Sequence, residues 1–306
     1  MANARIQAIE EKFWNNNTEF NLSAQCVAMA DDPTEEIEVV HCDPKSGFKG
    51  YYKEDKFPKE RIVLHFTVGN IRSDALALTD PKRGMVSTPF LLARDGRIYR
   101  LFPSGGWSYH LGRNSVGGNL AQSQATIGIE ISNYGPLTLR DGKLETAYSR
   151  NGNPATGTSG KVDVYCTLEE TDLYVKLEKP YRGYTYFASY TEEQYVSLVK
   201  LLRYLTAAYQ IPREFLPVET RYETTTDMLE FGGIVSHVNY RTDKFDIGPA
   251  FDWDRVITEL KAAPPIPKSR SLGPVGEDGP IVKSRSISAA PPEPEDEDFF
   301  KPIFEG

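Results

Sequence analysis

At 306 residues the chain can hold one large domain or two small ones, and 40% apolar residues with 11% aromatic ones are enough for a substantial core. A net charge of -8, with no Lys/Arg run interleaved with aromatics, offers no field to a phosphate backbone and excludes nucleic acid as a partner. No segment is long and apolar enough for a membrane span, and the amino terminus lacks a signal-peptide pattern, so synthesis in a cytoplasm is expected.

Ile6, Ile9 and Phe13 recur at helical spacing and predict a short amphipathic helix. Residues 15–52 mix polar, acidic and Pro/Gly residues without a clear period and read as an extension, with a boundary in the polar stretch 56–61. Ile62 to Val68 is rich in branched and aromatic residues, as in a buried strand, and Gly69-Asn70 ends it. Arg72 to Thr79 can form a helix. Val86 to Leu92 and Ile98 to Phe102 read as two strands around the Asp95-Gly96 turn. In Thr126 to Ser132 the residues Ile127, Ile129 and Ile131 share one strand face and Glu130 takes the other.

Residues 135–190 are polar and full of turn signals (Asp141-Gly142, Asn151-Gly152), with strand-like patches at Val162 to Cys166 and Leu173 to Leu177, and read as an insertion on a compact core. Thr191 and Gln194 make a capping-box pair, and the stripe Tyr195, Leu198, Val199, Leu202, Leu205 predicts a helix ending before Ile211-Pro212. A last helix is expected after Asp252. From Pro264 onward prolines cluster, and Glu293 to Asp298 has five acidic residues in six, a composition that predicts disorder. The aromatic end at Phe299, Phe300 and Phe304 reads either as a docking peptide for a protein partner or as an unconstrained sticky end. Cys26, Cys42 and Cys166 read as packing residues, with a Cys26–Cys42 bridge as the less favoured alternative. His41 reads as an exposed loop residue.

Chemistry concentrates in residues 232–253, where His237, Lys244 and Asp246 fall close together: imidazole and carboxylate are ligand types of a catalytic zinc, and the lysine adds a cation. His65 lies in the first core strand, where a core imidazole bonded to a backbone carbonyl is the competing reading.

The segments IVLHFTVGN (62–70), VSTPFLLARDGRIYRLFP (86–103), WSYHLG (107–112), IGIEISNYG (127–135), YTEEQYVSLVKLLRYLTAAYQIP (190–212) and SHVNYRTDKFDIGPAFDW (236–253) occur in one order. In that order the chain resembles the zinc-dependent N-acetylmuramoyl-L-alanine amidases, a family that includes the peptidoglycan recognition proteins and short phage lysozyme-amidases. The resemblance spans about Ile62 to Leu260. It implies an α/β fold, a central mixed β-sheet flanked by helices, organised as an N-terminal extension (1–55), a catalytic domain (56–262) carrying the insertion, and the tail (263–306).

By the same resemblance His65, His237 and Asp246 are the ligands of Zn2+, Glu130 is the general base and acid, and Lys244 steadies the oxyanion. Two neutral imidazoles and one carboxylate leave zinc with net positive charge and an open fourth position, which brings the pKa of a water there to about 7. The bond at stake is the amide between the lactyl group of N-acetylmuramic acid and L-alanine, so the expected partner is peptidoglycan or its muropeptides.

The competing readings are a structural carboxylate for Glu130 and a solvated loop charge for Lys244. His110 takes a position where relatives have a substrate-facing histidine, with a hydrogen-bonded scaffold role as the alternative. Trp107, Tyr109 and Tyr134 are candidates for stacking on sugar or peptide, against a packing role. Three departures stand out: Pro89 replaces a histidine or other polar residue, Asn239 replaces a frequent aspartate, and the ligand loop is one residue shorter than the common bacterial form, which makes Asp243 a fallback ligand. A non-catalytic peptidoglycan-binding module and a cytoplasmic muropeptide-recycling amidase are the alternative functions. The insertion and tail favour a lytic enzyme that reaches the cell wall after lysis or through delivery by a phage or injection machinery.

Overall fold

The buried strand expected at 62–68 is the hub of the sheet. In the computed structural model, which describes residues 4–150 and 160–267, β3 (Arg61–Phe66) has all six residues buried. It pairs in parallel with β6 (Thr126–Ile131) on one side and β12 (Gly233–Ser236) on the other. The hairpin of β4 (Phe90–Leu92) and β5 (Ile98–Arg100) continues the sheet, β4 lying parallel to β6. Its strands are shorter than the sequence pattern suggests, because Val86 pairs only in an isolated bridge with Tyr109.

Period-two alternation separates the two faces of these strands. Ile62, Leu64, Ile127, Ile129, Ile131 and Ile234 pack with Leu198, Leu201, Leu202 and Leu205 of α4 (Glu192–Tyr209) and Val256 and Leu260 of α5 (Trp253–Ala262). Helix α4 begins with the expected capping box, Thr191 accepting from the backbone of Gln194 and Gln194 reaching back. Asp252 caps α5. The other face carries Val63, His65, Glu130 and Val235.

The extension at 1–55 contributes two strands that the composition does not advertise. β1 (Phe20–Ala28) and β2 (Glu36–Pro44) form an antiparallel hairpin, and β2 joins β5 in parallel, giving the order β1-β2-β5-β4-β6-β3-β12. β1 is largely exposed, so alternation has nothing to sort. Helix α1 (Ala4–Asn16) buries Ile6, Glu10 and Phe13. Its Glu10 carboxylate accepts from the backbone N–H groups of Arg94 and Asp95 at 2.8 and 2.7 Å, clamping the helix to the β4–β5 turn. Phe13 joins Ile71, Ala75 and Leu78 of α2 (Ile71–Leu78) in a second apolar cluster.

Two sequence expectations are corrected here. His41 is half-buried in β2, bonded to Gln25 at 3.0 Å and to Arg100, so it is no loop residue: its strand neighbours are polar and hide the period. All three cysteines are free and Cys42 and Cys166 are buried packing residues as expected, but Cys26 is exposed, on the largely exposed edge strand β1 opposite Glu38.

The insertion folds into a sheet of its own: β7 (Pro136–Arg140), β8 (Lys143–Glu145), β9 (Val164–Thr167), β10 (Tyr174–Tyr181) and β11 (Tyr184–Ala188), in the order β10-β11-β7-β8-β9. The Asp141-Gly142 turn joins β7 to β8 with φ of 47° and 73°, the left-handed pair of a tight hairpin. Asn151-Gly152 and the tail from residue 268, with its acidic run and aromatic end, lie outside the described residues. Among the described residues no helix is long and apolar enough to cross a membrane.

Candidate active site

Sheet register sets two functional side chains next to each other: His65 of β3 is the direct partner of Glu130 on β6. His237 and Asp246 come from the turn and loop that follow β12. That loop is folded back by a backbone bond from Val238 N–H to the carbonyl of Asp246, 2.7 Å. His65 and His237 approach through their Nδ1 atoms at 2.9 Å, and Asp246 Oδ2 lies 3.0 Å from His237 Nδ1 and 3.3 Å from His65 Nδ1. All three residues are buried.

The hydrogen bonds behind these atoms decide where the protons are. The carbonyl of Gln122 only accepts, so the Thr126 hydroxyl donates to it at 2.7 Å and accepts from His110 Nε2 at 2.9 Å. A neutral His110 then has a bare Nδ1, which accepts from His65 Nε2–H at 3.0 Å and leaves His65 Nδ1 bare. His237 Nε2–H donates to the carbonyl of Leu111 at 3.0 Å, so a neutral His237 turns a bare Nδ1 toward the cluster as well. Burial, the His237 ring and Lys244 push the His65 pKa down to about 4 against the pull of Asp246, and burial with His65, His237 and Lys59 holds His110 well below the histidine range.

With both imidazoles neutral, three lone pairs, two imidazole and one carboxylate, converge at 2.9–3.3 Å. Such a cluster repels itself unless a cation sits within it. Ligand atoms around a tetrahedral ion with bonds of about 2.0–2.1 Å are separated by about 3.3 Å, so both the donor set and its spacing fit a divalent metal.

Burial, reinforced by the carboxylates of Asp246 and Asp74, holds Glu130 well above the usual carboxyl range, and Lys244 opposes the rise. Its Oε2 is buried without a hydrogen-bond partner among the described residues. Burial also raises Asp246, but the neighbouring His237 and His65 override it and hold Asp246 well below the usual range.

Other expected residues lie elsewhere. His110 stands behind His65, in the hydrogen-bonded alternative and away from the converging donor atoms. Trp107 and Tyr109 meet edge-on at 5.4 Å inside a buried cluster with Met85, and Tyr134 packs on Tyr165 in the core of the insertion; at 2–3% exposure none offers an open face for stacking. Asp243 is held by two bonds from Arg241 at 2.7–2.9 Å and does not join the cluster.

Asn239 has a structural role that an aspartate cannot fill. Its Nδ2 donates to the carbonyls of Thr220, Arg221 and Glu223 at 2.9–3.2 Å, and its Oδ1 accepts from Ser236 N–H at 2.9 Å. Thr126 escapes a sequence reading because a threonine opening a strand is ordinary. The Arg182-Gly183 pair between tyrosines, at the tip of the β10–β11 hairpin, is the signal that passed unread.

Among solved structures the chain is similar to the N-acetylmuramyl-L-alanine amidase AmiD from E. coli in complex with anhydro-N-acetylmuramic acid-L-Ala-D-gamma-Glu-L-Lys, at 20% identity over 67% of this chain and 58% of that one, TM-score 0.42. It is similar to the endolysine LysCS from Clostridium intestinale URNW at 16% identity over 72% and 95% of the two chains, TM-score 0.39. It is also similar to AmpDH3 from Pseudomonas aeruginosa, at 18% identity over 67% and 61%, TM-score 0.39. No curated protein matches. The sequence model described as N-acetylmuramoyl-L-alanine amidase matches residues 55–249, a span that contains His65, Glu130, His237, Lys244 and Asp246, and the chain belongs to that family.

Proposed function

We propose that the chain is a zinc-dependent hydrolase that cuts the amide between the lactyl group of N-acetylmuramic acid and L-alanine in peptidoglycan or its fragments. The observation that carries this reading is the convergence of His65 Nδ1, His237 Nδ1 and Asp246 Oδ2 within 4.8 Å of one another. These three atoms hold the metal. When bound, zinc supplies the Lewis acidity that lets a water ionise near neutral pH.

The remaining steps belong to the chain's own side chains. Glu130 lies in an environment that disfavours its charge, which suits a carboxyl that accepts the proton of the attacking water and delivers it to the departing amine of L-alanine. Lys244, whose charge is felt at both His65 and Glu130, opposes the negative charge growing on the carbonyl oxygen. His110 and Thr126 keep the His65 ring oriented with its lone pair inward. The presence of a full ligand set beside a buried carboxyl favours catalysis over a binding module. The scissile bond puts the place of action at the cell wall or on wall fragments, reached after lysis or by delivery.

The test is digestion of intact sacculi and soluble muropeptides, with products read by mass. Peptides beginning with a free L-alanine amine, lost with chelator and restored by zinc, are expected. Cleavage between sugars refutes the reading.

A further inference from the structure

Arg61 is a buried cation that takes no part in the hydrolytic steps. It opens β3, four residues before His65 and on the same strand face, and it is the register partner of Thr126 as His65 is of Glu130. Its side chain is 2% exposed, and its one carboxylate partner among the described residues is the exposed Glu60, at 3.1 Å. A cation buried on such terms is costly to desolvate and a poor stabiliser, so what it contributes is five donors held in one rigid fork.

The fork points three ways. Nη1 donates to the carbonyls of Met228, Leu229 and Phe231 at 2.9–3.3 Å, fixing the segment that leads into β12. Nη2 donates to Gln122 Oε1 at 2.9 Å, and Nε donates to the Tyr240 hydroxyl at 3.2 Å. The last two acceptors belong to the supports of the two histidine ligands.

Gln122 lies in α3 (Asn119–Ala125), the helix on which His110 rests. His110 N–H donates to Ser123 Oγ at 3.3 Å, and the Gln122 carbonyl takes the Thr126 hydroxyl that receives His110 Nε2–H. Lys59, two residues before Arg61, donates to the carbonyl of Gln124 at 2.8 Å and holds the end of the same helix. Tyr240 closes the turn that carries His237: its N–H donates to the His237 carbonyl at 2.9 Å, and its own carbonyl accepts from Val116 N–H at 3.0 Å. One guanidinium thus joins the ring support of His65 to the backbone support of His237, residues 172 positions apart.

We propose that Arg61 is a positioning residue of the metal centre, setting the spacing of the two imidazole donors by fixing Gln122 on one side and Tyr240 on the other. The assignment rests on the zinc reading. Lysine keeps the charge, but a single ammonium cannot reproduce a fork that reaches three ways, so Arg61→Lys separates charge from geometry. Gln122→Met and Tyr240→Phe each remove one acceptor and leave the net charge unchanged.

The experiment is zinc affinity by competition with a chromogenic chelator, on variants shown to be fully folded by circular dichroism and urea denaturation. Arg61→Lys should lose about tenfold, and Gln122→Met and Tyr240→Phe about three- to fivefold each. A merely structural role lowers the urea midpoint and leaves the zinc affinity of the folded chain unmoved. Because Gln122 acts through Thr126, combining Gln122→Met with Thr126→Val should cost no more affinity than Thr126→Val alone. Should Arg61→Lys not fold, the two single-acceptor variants decide. Wild-type affinity in any folded variant of the three, or losses that multiply in the combined variant, overturns the assignment. A wild type that takes up no zinc overturns the metal reading, and the assignment with it.

Discussion

His65 and Glu130 are register partners on adjacent parallel strands, so a ring with its lone pair turned inward and a buried carboxyl with a free oxygen stand side by side on one sheet face. Strand pairing, rather than a flexible loop, sets their relation. Glu130→Gln keeps the volume and removes the proton-accepting oxygen. Turnover should fall by about 10²–10⁴-fold while zinc content stays at the wild-type level. A variant with near-normal turnover would return Glu130 to a structural role.

The chain of bonds from Gln122 through Thr126 and His110 to His65 should be measurable as metal affinity. Thr126→Val removes the hydroxyl at nearly constant volume and frees His110 to adopt the other tautomer. Zinc affinity, read by competition with a chromogenic chelator, should fall about tenfold, and Thr126→Ser should restore it. Equal affinity in wild type and Thr126→Val would mean that the tautomer is set elsewhere.

Asn239→Asp should be costly although the two side chains are nearly equal in volume. A carboxylate there faces the carbonyls of Thr220, Arg221 and Glu223 with no proton to offer. Loss of about 3 kcal/mol of unfolding free energy is expected from urea denaturation. A loss below about 0.5 kcal/mol would show that the loop finds other donors.

Asp74 gives a pH dependence of stability with a definite sign. Burial raises its pKa to about 7, against the pull of hydroxyl bonds from Ser132 and Thr67, and Glu10 adds to the rise. Asp74 in turn adds to the rise of Glu130. Folded Asp74 keeps its proton up to about pH 7, whereas the unfolded chain releases it near 3.8. Between these values the folded state binds more protons, so this contribution is whole below about pH 4 and is lost as pH rises through 7. Asp74→Asn removes the slope. The stability difference between zinc-loaded variant and wild type should shift in the variant's favour by about 2.5 kcal/mol at most from pH 5 to pH 8. A difference independent of pH would contradict the shift.

Legibility in the sequence followed how much each residue's environment depends on its neighbours in the chain. Helix α4 was readable because its capping box and apolar stripe are local. The alternation in β6 placed Glu130 opposite the isoleucines, and the burial on both faces agrees with a central strand. β1 was unreadable because a mostly exposed edge strand has no apolar period. The ligand residues could be named from family resemblance, but the orientation of His65 depends on His110 and Thr126, which reach it only through folding. The hydrogen bond from Arg182 to the carbonyl of Thr242 in the ligand loop joins residues 60 positions apart and leaves no local trace.

Whether three donors share one ion is decided by counting zinc per chain with elemental mass spectrometry on purified wild type, Glu130→Gln and His237→Ala. One equivalent in the first two and none in the third is the expected result. A wild type that binds no zinc from a zinc-replete buffer, or a fully loaded His237→Ala, would contradict the shared site and the hydrolysis built on it.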